Sequence, residues 1–274
     1  MAMKHADLGA LDGPVLLFGG PYSNVQALDA VIAAAAARGI DRGHMMCTGD
    51  IAAYCGAPGP CVQRLRDLAC PVVAGNCEVQ LASGAPGCGC GFDAGSTCDL
   101  LSVGWYGFAA SALSADDKAW MGQLPDFITF IHQGARYAAI HGGVTDVSRF
   151  IWGSSDASVF DHEWQALEDH IGPVDHIIAG HCGIPFIRKT PKGRWINAGV
   201  IGMPPHDGRQ QTRFAILDGG EVQIHRLDYD VAGAMRDMAD AGLPDGYRRG
   251  LQSGYWPSED ILPADLRLPS LARG

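Results

Sequence analysis

Four short apolar runs in this chain each close on a glycine beside a polar residue: Gly49-Asp50, Gly75-Asn76, His141-Gly142 and Gly180-His181. That repeated ending constrains the fold more than any other feature. Apolar runs of this length read as buried strands. In α/β sheets, ligands gather beyond the carboxyl ends of the strands, and glycine lets the backbone turn sharply there. Asp50, Asn76, His141 and His181 would bring two oxygens and two nitrogens to one place. Such a set suits Zn²⁺, Mn²⁺ or Fe²⁺ better than Ca²⁺. Taken singly, each residue has a plainer reading. Gly-Asp and asparagine are common turn formers, and a histidine at a strand end is more often hydrogen-bonded than ligating. Four such ends in one chain argue for a shared site.

The rest of the pattern is that of a layered α/β domain. Val15 to Phe18 reads as a strand that turns at Gly19-Gly20-Pro21. Asn24 is placed to cap a helix carrying Val25, Leu28, Ile32 and Ala35, with Gly39 closing the segment. Further strands are expected at 45–48 and 72–74, with a helix at 62–68 between them. Residues 82–99 form a Gly-rich, Cys-rich insertion, and 111–124 should be mostly helical. Gln133-Gly134 should turn a hairpin of 127–132 and 136–141. A helix follows at 156–170, then strands at 175–179, 184–188, 195–197, 213–217 and 222–227, and a helix at 230–241. Strands and helices alternate early and strands cluster late, which fits layered α/β architecture without choosing among such folds.

Composition narrows the function. Of 274 residues, 47% are apolar and 18% charged, enough for a sizeable core. The formal net charge of −10 argues against general nucleic-acid binding, which rests on neutralising phosphates with Lys and Arg. It leaves room for a small phosphorylated substrate or ligand held through a metal. Residues 1–13 lack the apolar core of a signal peptide, and the greasy stretch 31–37 is too short to span a membrane. A cytoplasmic protein without membrane attachment is the expectation. The nine cysteines are odd in number, so they cannot all pair, and reduced thiols are expected.

The order Gly49-Asp50, Gly75-Asn76-Cys77-Glu78, His141-Gly142 and Gly180-His181-Cys182-Gly183 resembles the calcineurin-like metallophosphoesterases, most of all their small bacterial phosphodiesterase-like branch. The resemblance covers residues 14 to 228. Ile196 to Gly202 is similar to the family's Asn-Pro-Gly-Ser segment, and Pro205-His206-Asp207-Gly208 to its Pro-Arg-Asp-Gly segment. The resemblance implies a four-layer α-β-β-α sandwich of two mixed sheets flanked by helices. It implies two metal ions side by side, with a metal-activated water attacking phosphorus in line. It places the bridging aspartate at Asp50, the asparagine ligand at Asn76 and two histidine ligands at His141 and His181. Asp50, Asn76 and His141 would then carry catalysis.

The other half of that site departs from the family. Gly20 stands where an aspartate ligand belongs, Tyr22 where a histidine belongs, and Gly183 where the last histidine of Gly-His-x-His belongs. Cys77 replaces the family's histidine and is a poor proton shuttle near neutral pH. Three expectations follow. One divalent transition metal ion, Mn, Fe or Zn, would serve a mononuclear phosphoesterase acting on a phosphodiester or phosphomonoester, with a second ion not expected. Or cysteines would rebuild the site, from Cys47, Cys77 and Cys182, or separately from Cys88, Cys90 and Cys98, against the opposite facing of alternate strand residues. Or the chain would be a catalytically silent relative that binds a ligand or protein, with Tyr22, Trp105 and Tyr106 as apolar surface. His206, Arg209 and Arg213 are candidate phosphate contacts, with surface solvation the simpler account. One domain is expected over 1–242, with 243–274 as a tail packing on it or on a partner. A homodimer is plausible from the apolar stretches and the tail.

Overall fold

The structure is a computed structural model and describes residues 3–269. Two sheets fill its middle. The first holds β1 (His5–Ala10), β4 (Phe127–His132), β5 (Ala135–Ala139), β6 (His176–Ala179), β8 (Arg194–Asn197) and β7 (Phe186–Lys189), in that spatial order. The second holds β10 (Glu221–Leu227), β9 (Thr212–Asp218), β2 (Val15–Phe18) and β3 (Met45–Cys47). Both are mixed. β5, β6 and β8 run parallel while β4 and β5 form the expected hairpin, and β2 pairs parallel with β3 and antiparallel with β9.

The continuous apolar strands follow from burial on both faces. In β2, Val15 and Leu17 point into the core between the sheets, and Leu16 and Phe18 point to the helices outside. That is the period of two that a strand imposes. Helices α1 (Val25–Ala36), α2 (Pro58–Leu68) and α7 (Val231–Asp240) cover the outer face of the second sheet. Helix α6 (Ala157–Ile171) covers the first sheet, with Phe160, Trp164 and Leu167 packed on Ile177 and Trp195. The order of layers is α-β-β-α. Asn24 caps α1 as its sequence position implies, its side chain accepting from Ala27 N.

Some local expectations are corrected. Residues 72–74 form no strand: Val72 makes one isolated bridge to Cys47, and the run turns at once into α3 (Asn76–Ser83). The helical stretch at 111–124 is the end of α4 (Thr97–Ala112) and a separate α5 (Ala115–Met121), broken where Ser114 caps α5. Strand β1 and the start of α4 escape sequence reading for physical reasons. β1 is a half-exposed edge strand paired only with β4. The α4 segment carries Gly104 and Gly107, which weaken helical propensity. After α7 the chain forms α8 (Asp245–Ser253), whose Tyr247 and Leu251 are buried in the main core. It then runs irregularly to Leu262, buried beside Trp152 and Cys182. No described helix is long and apolar enough to cross a membrane.

Because α6 holds the first sheet through one stripe, Leu167→Ala should destabilise the fold by about 2–5 kcal/mol, measured by chemical denaturation.

Candidate metal centre

Strands from both sheets aim their carboxyl ends at one mouth. Asp50 follows β3 of the second sheet, and His141 and His181 follow β5 and β6 of the first. Asn76 opens α3. One buried carboxylate ties these loops together. Glu78 accepts from Asp50 N at 2.7 Å, Ile51 N at 2.8 Å and Gly75 N at 2.9 Å. Those bonds hold Asp50 at φ 57°, a left-handed conformation uncommon outside glycine. His181 shares that region at φ 61°. Strained residues of this kind gather at functional sites. Gly75 has to be glycine. A Cβ there would lie 2.6 Å from Asp50 Oδ1 and 2.8 Å from His141 Cε1.

The candidate ligand atoms converge on one buried point. His141 Nδ1 lies 2.5 Å from Thr48 O. A carbonyl only accepts, so Nδ1 carries a proton, and the neutral ring presents its lone pair at Nε2. That Nε2 lies 3.1 Å from Asn76 Oδ1, 3.2 Å from His181 Nδ1 and 3.3 Å from Asp50 Oδ2. Asn76 presents its oxygen there because Nδ2 donates to Cys88 O at 3.0 Å. All four residues are at most 7% exposed. With His141 neutral, buried lone pairs would face each other there, which is costly unless a cation, a proton or a metal ion, fills the gap. Bonds of about 2.0–2.2 Å to Zn²⁺ place neighbouring ligand atoms about 3.0–3.5 Å apart, so the set fits a transition metal ion.

Charge couples Asp50 and His141. Burial pushes the Asp50 carboxyl up, but the charge and hydrogen bond of His141 outweigh it and hold it well below the usual carboxylate range. Burial pulls His141 down and Asp50 pulls it up, and Asp50 wins. Burial lowers His181. Among the described residues, Asp50, His141 and His181 are one buried Asp/His/His cluster with metal-ligating spacing.

A family model for the calcineurin-like phosphoesterase superfamily domain matches residues 23–221. The chain belongs to that superfamily. It is similar to an uncharacterised protein of Methanocaldococcus jannaschii, at 24% identity over 82% of this chain and 91% of that one. Among solved structures, it resembles a metallophosphoesterase from Sphaerobacter thermophilus with a TM-score of 0.68 at 20% identity, covering 89% of this chain and all of that one. A hypothetical protein from Pyrococcus horikoshii gives a TM-score of 0.71 at 16% identity over 90% and 100%. At such identities these two structures support the fold alone. Fold and cluster together support metal-dependent hydrolysis in general terms.

Aromatic rings lie over Gly20 and Gly183, the two positions where the resemblance expects ligands. A Cβ on Gly20 would fall 2.7 Å from Cε1 and Cζ of Tyr22, so the tyrosine ring covers that position. A Cβ on Gly183 would fall 3.2 Å from Cζ2 of Trp256, which arrives from the C-terminal segment. Burial, then the Asp50 charge, pushes the Tyr22 phenol well above its ordinary value, so it stays protonated rather than ligating as a phenolate. Tyr22, Phe150 and Trp256 join Asp50 and His181 around a recess of about 40 Å³.

No described cysteine belongs to the Asp/His/His cluster. Cys77 and Cys90 stand behind Asn76, their sulfurs 3.6 and 3.4 Å from its Nδ2, and Cys88 holds the same nitrogen through its carbonyl. Cys98 lines the recess, and Cys47 sits in the main core. Cys182 accepts from Asn197 Nδ2 at 3.2 Å, and burial raises its thiol to about 12. All nine thiols are unpaired by disulfides and buried. Trp105 is packed on Tyr54, and Tyr106 donates to Ala85 O, so neither lines the recess. His206 contacts Trp256 and Glu259, Arg213 pairs with Asp207, and Arg209 lies exposed.

Sequence reading missed the weight of Glu78, Phe150 and Trp256. Glu78 stood three residues after Gly75, the spacing of a reciprocal helix cap, which was its available signal. Phe150, with its ring 4.3 Å from that of His181, and Trp256 reach the site by long-range folding. Glu78→Ala should strand three buried amides. It should cost about 3 kcal/mol or more in urea denaturation and weaken metal uptake by the same protein.

Proposed function

We propose that the chain is a mononuclear metallophosphoesterase that hydrolyses a phosphomonoester or phosphodiester. The observation that carries this is the convergence of Asp50 Oδ2, Asn76 Oδ1, His141 Nε2 and His181 Nδ1 on one buried point. A divalent ion held by these four residues would supply Lewis acidity toward a phosphoryl oxygen and a water of lowered pKa. Asp50 contributes the negative charge of the set. Thr48 O fixes the His141 tautomer, and Cys88 O fixes which amide atom Asn76 presents. Phe150, Tyr22 and Trp256 keep bulk water from the cluster. Cys77 after Asn76 favours the bacterial phosphodiesterase-like branch. None of the residues lining the recess is Lys or Arg, which favours a substrate with a single phosphoryl group over a polyphosphate.

The rings over Gly20 and Gly183 favour a second reading, a silent relative that binds a ligand or a protein through the closed cleft. A panel of phosphomonoesters and phosphodiesters with Mn²⁺, Fe²⁺ or Zn²⁺ separates the two. The enzyme reading expects metal-dependent turnover that Asp50→Asn lowers by about 100-fold or more. Turnover unchanged in Asp50→Asn would contradict it, and metal-loaded protein without turnover selects the silent relative.

The pH dependence of metal uptake has a definite sign. An ion needs the lone pair of neutral His141, and Asp50 raises that pKa above the ordinary histidine value. Affinity should therefore be full above the raised pKa and fall as pH drops through it. A titration calorimeter should record proton release on binding in that window.

A further inference from the structure

The cluster is shut in by the segment that follows α8. Asp50, Asn76, His141 and His181 are at most 7% exposed, and the recess above them is about 40 Å³. That space holds a few waters, far less than the cavity of about 150 Å³ that benzene fills. No phosphoester reaches the site through it unless a wall moves.

One wall has the build of a movable element. It begins at Gly254, the left-handed C-cap of α8 at φ 79°, and runs without helix or strand to Pro263. Trp256, Pro257, Ser258 and Ile261 face the recess. On another side, a polar cavity of about 380 Å³ lies between His206, residues 255–260 and Arg267. Open space on two sides leaves the half-buried stretch 255–259 less densely packed than its end at Leu262, which anchors it beside Trp152 and Cys182. At its ends, Gly208 N donates to Gly254 O at 3.3 Å, Thr97 N to Asp260 Oδ2 at 3.1 Å and Arg267 Nε to Leu262 O at 2.8 Å, and its middle is held through Trp256 and Glu259. Trp256 N donates to His206 Nδ1 at 2.9 Å, and Trp256 Nε1 donates to Pro204 O at 2.7 Å. His206 Nε2 meets Glu259 Oε1 at 3.1 Å, so one imidazole grips the segment at two points.

We propose that the segment from Gly254 to Leu262 is a cover over the metal cleft, seated by Trp256 on Gly183 and latched by His206, and that its release admits ligand. The proposal concerns access to the site assigned above and rests on that assignment for its biological meaning. Its test needs neither metal nor substrate. Cys90, Cys98 and Cys182 line the covered recess, Cys90 from the edge of the main core, whereas Cys47 and Cys61 lie in that core and do not line the recess.

Native full-length protein, Trp256→Ala and His206→Gln are labelled with N-ethylmaleimide without denaturant, and each cysteine is followed by peptide mass spectrometry. Both variants should label at Cys90, Cys98 and Cys182 about tenfold faster or more, with Cys47 and Cys61 still protected. Unchanged labelling of the recess thiols in both variants overturns the cover. So does labelling of Cys47 and Cys61 that rises in step, because the segment would then be part of the core. Hydrogen exchange of residues 254–262 in the unmodified protein gives a check independent of any variant. Exchange faster than α7 is expected, and exchange as slow as α7 overturns the cover. A negative result on these readouts leaves the phosphoesterase reading intact, which metal content and turnover test separately.

Discussion

Three backbone amides from two loops end on the buried carboxylate of Glu78. The site depends on that convergence. It joins the loop after β3, on one sheet, to the turn that opens α3, and it stabilises the left-handed backbone of Asp50. Asp50 then points at His141 and His181, which the other sheet delivers. Burying a carboxylate is expensive unless its lone pairs are used, and here backbone donors use them. Desolvation and the Asp50 charge push Glu78 up, while the Ile51 and Gly75 amides pull it down.

The two halves of the mouth have diverged physically. On one side, oxygens and nitrogens of Asp50, Asn76, His141 and His181 converge with ligand spacing. On the other, Tyr22 lies over Gly20 and Trp256 over Gly183. Missing ligands alone would leave a hydrated gap. Rings in their place make that half apolar and narrow, and the C-terminal segment closes the mouth. An ion in the retained half would act without a neighbouring cation, so charge on a phosphoryl group would be met by one metal and an aromatic wall.

The Asp50, His141 and His181 cluster was legible because each follows a strand beside a glycine, whereas Asn76, beside Gly75, opens α3 rather than ending a strand. The two-sheet sandwich was legible through runs such as Val15 to Phe18, apolar on both faces because both are covered. β1 was not, since an edge strand with one partner has half-exposed residues. Residues 72–74 looked like a strand from composition, yet Glu78 takes the Gly75 amide and turns the chain into α3. Trp256 could not be placed from local sequence at all. Its meeting with Gly183 joins residues 73 positions apart, and only the packed tail brings them together.

The central claim is that one complete ligand set remains and the other half is closed. Metal analysis of the purified protein, after supplementation with Mn²⁺, Fe²⁺ or Zn²⁺, tests it most directly. One ion per chain, lost when His141 and His181 are both changed to Ala, is the predicted result. Two ions per chain, or none, would contradict it.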